Sequence, residues 1–139
     1  MKIVQQWDQK DSEFIRSKLV EYNLSHIPEK LKNSPNEKIS FVVRDEEDNI
    51  VAGITGYIVW AHAHVDFLWV DESVRKEGYG TKLLKRIEEF AREKGCTFIF
   101  LETFSFQAPE FYPRNGYEVF GKLEDYSEGL IKYFLKKQL

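Results

Sequence analysis

The chain has 139 residues, a net charge of −3 and 15% aromatic side chains. Disordered chains are poor in aromatics and duplex nucleic-acid binders need a basic face, so this composition argues against both. No apolar run approaches the ~20 residues that span a bilayer, residues 1–10 lack the apolar core of a leader, and the single Cys96 cannot close an internal disulfide. One domain over residues 1–139, in the cytoplasm, is the expectation.

The elements are predicted in chain order. A strand covers 2–7. Asp11 or Ser12 caps a helix with Ile15, Leu19, Tyr22 and His26 on one face. Residues 27–36 form a loop with a short helix after Pro28. Strands at 38–44 and 50–60 make a hairpin, with Gly53 and Gly56 marking bulges or close approaches. A strand at 62–70 follows. Strict alternation sets Ala63, Val65, Phe67 and Trp69 on a packing face and His62, His64, Asp66, Leu68 and Val70 on the other. The clearest helix is 78–94, with an apolar stripe of Leu83, Leu84, Ile87, Phe90 and Ala91, closed by Gly95. Residues 97–101 read as a buried strand, 108–115 as a short helix, and 117–123 with 130–136 as a last hairpin. The order β-α-β-β-β-α-β-α-β-β makes a mixed α/β sheet, with parallel strands joined by the helix at 78–94. The strand at 130–136 is expected to offer an open edge to a second copy.

The segment Arg75-Lys76-Glu77-Gly78-Tyr79-Gly80-Thr81 joins a strand to a helix. The first amides of a helix lack internal partners and carry the positive end of its dipole. Glycines let a ligand approach that backbone, so the turn suits phosphate or pyrophosphate. It is not the dinucleotide fingerprint, because Leu83 stands where a third glycine is needed, and the chain has no Gly-Lys-Ser/Thr.

Arg-x-x-Gly-x-Gly at such a junction resembles the acetyl-CoA signature of the GNAT superfamily of N-acetyltransferases. Ala108 with Phe111-Tyr112-Pro113-Arg114-Asn115-Gly116-Tyr117 resembles the family's second block, Ala…Leu-Tyr-Glu-Lys-x-Gly-Phe. With the preceding hairpins, the resemblance covers nearly the whole chain. It implies a mixed, splayed central sheet flanked by helices, with acetyl-CoA between strands 64–70 and 97–103. It also implies pyrophosphate on the amides of Lys76, Glu77, Gly78, Tyr79, Gly80 and Thr81, with Arg75 beside them, and cofactor contacts from Leu68, Val70 and Ala108. The Val70 amide would bind the acetyl carbonyl, and Tyr112 stands at the family's general-acid position. Ser105 replaces the asparagine that usually contacts pantetheine, with Gln107 near.

Amine acetylation needs a base, an oxyanion donor and an acid for the thiolate. The family's Glu base falls at Asp66 in one branch and at His64 in another, and both stay open. His64 is the better unperturbed base near neutrality. The sequence also admits two other readings. His62-x-His64-x-Asp66 resembles a fragment of a zinc hydrolase motif, but Phe67 stands where a further histidine is usual. A non-catalytic acyl-CoA binder would share the fold. Asp66, Asp71, Glu72 and Glu102 lie near the expected site in chain order, so a small cationic amine is the expected acceptor, with no metal. Homodimers are common in the family.

Overall fold

Asp8, rather than Asp11 or Ser12, caps the first helix. Its carboxylate accepts from the amides of Lys10 and Asp11, satisfying donors that have no partner within the helix. The computed structural model describes residues 1–139, in two compact units, 1–33 and 34–139. In the first, α1 spans Gln9–Leu24 and a short α2 spans Glu29–Lys32 after Pro28. Phe14, Ile15, Leu19 and Tyr22 of α1 are exposed, and the Tyr22 ring stacks on His26 just past the helix. The strand expected at 2–7 does not form. A strand needs a ladder to satisfy its amides, and no ladder includes these residues.

The second unit carries a six-stranded sheet in the order β1-β2-β3-β4-β6-β5. Its strands are β1 (Glu37–Arg44), β2 (Ile50–Val59), β3 (His62–Val70), β4 (Phe98–Phe104), β5 (Glu118–Leu123) and β6 (Lys132–Gln138). β3 and β4 run parallel, joined by α3 (Tyr79–Glu93), and all other neighbours are antiparallel. A four-residue α4, Phe111–Arg114, precedes β5. The strand expected to offer an open edge lies between β4 and β5, so the edges are β1 and β5. No helix is long and apolar enough to cross a membrane.

The stripe on α3 does what its periodicity predicts. Leu83, Leu84, Ile87 and Ala91 are buried against Ala52, Ile54, Ile58, Ala63, Val65, Ile99 and Leu101. Each fully buried Leu or Ile stabilises by about 1.5–3 kcal/mol. Glu88 is buried on the same helix. It accepts from the Tyr117 hydroxyl at 2.8 Å and from Lys137 Nζ at 2.9 Å, and Lys137 also reaches the Asn115 carbonyl. This network ties α3 to β6 and to the residue that leads into β5.

β3 does not alternate strictly. Its register against β2 runs from Thr55–Phe67 to Gly56–Val65, so Asp66 is an extra residue, a β-bulge. Gly56 makes room for it: a Cβ there would stand 2.2 Å from the His64 carbonyl oxygen. The bulge flips the faces. Ala63 and Val65 are buried before it, and Leu68 and Val70 pack on the core after it. Phe67 and Trp69, expected on the packing face, are 75% and 49% exposed instead.

Candidate active site

β3 and β4 pair only over His62–Phe98, Ala63–Ile99 and His64–Phe100. Beyond His64 the bulge bends β3 and the strands part. Two cavities open in and beside the gap. The larger, about 700 Å3, is lined by Leu68, Val70, Arg75, Lys76, Gly78, Tyr79, Gly80, Thr81, Ala108 and Tyr112 among others. The second, about 530 Å3, is lined by Asp66, Glu102, Phe104, Lys132 and Tyr112 among others. Leu68, Trp69, Gln107 and Tyr112 line both, so the cavities meet there.

The larger cavity has the chemistry of an anion cradle. Gly78 caps α3 in the left-handed region at φ 80°, and Lys76 is left-handed at 72°. The amides of Lys76, Glu77, Gly78, Tyr79, Gly80 and Thr81 donate to no protein group. Such a run of open amides at a helix start attracts phosphate oxygens. A Cβ at Gly78 would meet nothing within 4 Å, so the approach is open. Arg75, Lys76 and Arg114 add positive charge to the wall. Arg75 Nε is itself anchored to the Val70 carbonyl at 3.1 Å.

The amide of Val70 has a defined aim. The bond from the Asp71 amide to the Val51 carbonyl makes Ala52–Val70 a non-hydrogen-bonded pair. The Val70 N–H therefore points away from β2, toward the gap that β4 has left. Ser105 lines neither cavity. Its hydroxyl accepts from the Ile131 amide at 3.2 Å, while Gln107, whose side-chain oxygen accepts from the Phe104 amide, lines both. Glu77 lines neither cavity.

Tyr112 is buried on α4, with Phe111 and Tyr117 rings edge-on at 5.1 and 5.9 Å. Burial pushes its phenol above the usual range. It therefore stays protonated through neutral pH and can give a proton away.

On the other side of the junction, His64 bridges two carboxylates. Its Nδ1 lies 2.8 Å from Asp66 Oδ1 and its Nε2 lies 2.6 Å from Glu102 Oε2. Both ring nitrogens are thus occupied by carboxylates, and neither is free for the cavity. Asp66 and Glu102 line that cavity and His64 does not. Tyr57 stacks on His64 at 5.2 Å, and its phenol is pushed up by burial, then by the charges of Asp66 and Glu102. His62 is pushed down by burial and stacks on Phe98 at 5.3 Å.

The GNAT acetyltransferase family model matches residues 2–117. The chain belongs to the GNAT acetyltransferase family. It is 41% identical to blasticidin-S acetyltransferase of Streptomyces morookaense over 95 residues, 68% of this chain and 70% of that protein. A crystal structure of an acetyltransferase from Bacillus cereus superposes with a TM-score of 0.93 at 45% identity, over 99% of this chain and 98% of that one. A Bacillus anthracis structure in complex with acetyl coenzyme A shares the fold at 21% identity and a TM-score of 0.66, over 81% and 68% of the two chains. This GNAT chain is thus an N-acetyltransferase with the mixed α/β fold of the family.

The zinc hydrolase reading has no support in this geometry. Asp66 and Glu102 occupy His64, and no group of three or more His, Cys, Asp or Glu is disposed to hold a metal ion. Sequence reasoning gave Glu102 no role beyond its charge and Lys132 none at all. A signal for Glu102 existed: it follows Phe98 and Phe100 at period two, on the face that His64 shares.

Proposed function

We propose that this GNAT domain moves an acetyl group from acetyl-CoA to a small amine by direct attack in a ternary complex. The observation that carries the reading is the junction of the two cavities at Tyr112, with Asp66 on the acceptor side and the open amides of 76–81 on the donor side.

Bound acetyl-CoA supplies an acyl group activated as a thioester. The amides of Lys76 to Thr81 hold its pyrophosphate, and Leu68 and Val70 align the chain beside β3. The Val70 N–H donates to the acetyl oxygen and stabilises the negative charge that develops there. The Asp66 carboxylate draws the amine in as its ammonium and takes a proton from it, directly or through a water. His64, tethered by Glu102, holds that carboxylate in place. Tyr112 gives its proton to the departing sulfur. The amine loses two protons in all, one balancing the thiol and one going to solvent. No step needs an acetylated side chain.

The reading is tested by thiol release from acetyl-CoA in the presence and absence of a panel of small amines, with product mass. Release that needs an amine and yields its acetamide is expected. A stable acetyl-enzyme formed from acetyl-CoA alone would overturn the direct route.

A further inference from the structure

The wall of the acceptor cavity carries three charged side chains, Asp66, Glu102 and Lys132. The two carboxylates share His64 as their partner. Lys132 has none: it forms no ion pair with any carboxylate of the protein. Its ammonium rests over the rings of Phe104 and Phe134, 5.6 Å from each centroid. Cross-strand pairing places Lys132 opposite Phe104 and Glu102 opposite Phe134, so the cation and the acid share a face one step apart. Yet Lys132 lies beyond ion-pair distance from both acids.

The wall thus offers an acid end, at Asp66 and Glu102, and a separate cationic end, at Lys132. An acceptor bearing only an ammonium would leave the lysine without a counter-ion. An acceptor with an ammonium and an anion matches both ends.

We propose that the acceptor is zwitterionic, an amine that also carries a carboxylate or similar anion. Its ammonium sits at Asp66 and Glu102, and its anion pairs with Lys132. This rests on the amine acetyltransferase reading above and narrows its substrate class. Phe104, between the two ends on β4, offers the apolar surface for the body of the molecule.

The test compares α- and ω-amino acids with the amines that lack only the carboxylate, by thiol release from acetyl-CoA. Wild type, Lys132→Gln and Lys132→Arg are assayed, with an acetyl-CoA thermal shift to confirm folding. In wild type, kcat/KM for the best acid exceeds that of its matched amine by roughly tenfold or more, the scale of one charge-assisted contact. Lys132→Gln brings the ratio near one, and Lys132→Arg restores it. Equal ratios in wild type, or a preference that survives in Lys132→Gln, would overturn the proposal. If Lys132→Gln fails to bind acetyl-CoA, the wild-type and Lys132→Arg ratios still decide. Acetyl-CoA binding with no turnover of either series contradicts the amine acetyltransferase reading itself, a distinguishable failure.

Discussion

His64, on the last paired rung of β3 and β4, meets Glu102 just past that rung, with Nε2 2.6 Å from Oε2. The contact closes a chain from Glu102 through His64 to Asp66, at the point where the two strands part. Because it fills the second nitrogen of the ring, it orients the first toward Asp66. Glu102→Gln keeps an acceptor for Nε2 but removes the charge. We expect kcat to fall roughly tenfold, with KM for acetyl-CoA near wild type, since a charged hydrogen bond is exchanged for a neutral one. Glu102→Ala, which leaves the nitrogen unpaired, falls further. Steady-state kinetics on the three proteins check the order.

Gly56 is where the bulge depends on a missing side chain. Its Cβ would meet the His64 carbonyl at 2.2 Å and Ile87 Cδ1 at 3.1 Å. Gly56→Ala must move β3 or α3, at a cost of about 1–3 kcal/mol, and it displaces Asp66 with the backbone. Gly53→Ala is the control, because its nearest contact is at 3.4 Å. Denaturant unfolding should show a clear loss for the first and a small change for the second.

Tyr117 carries a pH signature. Burial, then the neighbouring Glu88 charge, raises its phenol far above the ordinary value of 10.0. Between that value and the raised one, the unfolded chain has lost the proton and the folded chain has kept it. Stability from this group is full below pH ~10 and falls above it by about 1.4 kcal/mol per pH unit. Tyr117→Phe removes this slope, though it also leaves one oxygen of Glu88 without its hydroxyl donor. The difference between the two proteins' unfolding free energies, followed from pH 9 to 11, should narrow as pH rises.

Much of the fold was legible because its signals are local. The stripe from Leu83 to Ala91 has one solution as a helix, and Gly95 ends it. The parallel β3–α3–β4 unit follows from that. Local signals failed where pairing decides. Residues 2–7 look like a strand but join no ladder. The strand at 130–136 looks like an edge but lies between two others. Alternation along β3 misplaced Phe67 and Trp69, because a bulge is invisible in period two unless Gly56 on the neighbouring strand is read with it. At the site, the run from Arg75 to Thr81 was legible from its glycines. Glu102 was not assigned a role because its partner is 38 residues away. The rank of His64 as the better base rested on its side-chain type alone, and the sequence does not show that both ring nitrogens meet carboxylates in the fold.

The central claim is that Asp66 and Tyr112 work on opposite sides of one reacting centre. The direct measurement is amine-dependent thiol release in wild type, Asp66→Asn and Tyr112→Phe, each first shown to bind acetyl-CoA by thermal shift. The account predicts that both variants still bind acetyl-CoA while kcat drops roughly 10²-fold or more, the scale of a lost acid or base. Undiminished turnover in either variant would contradict it.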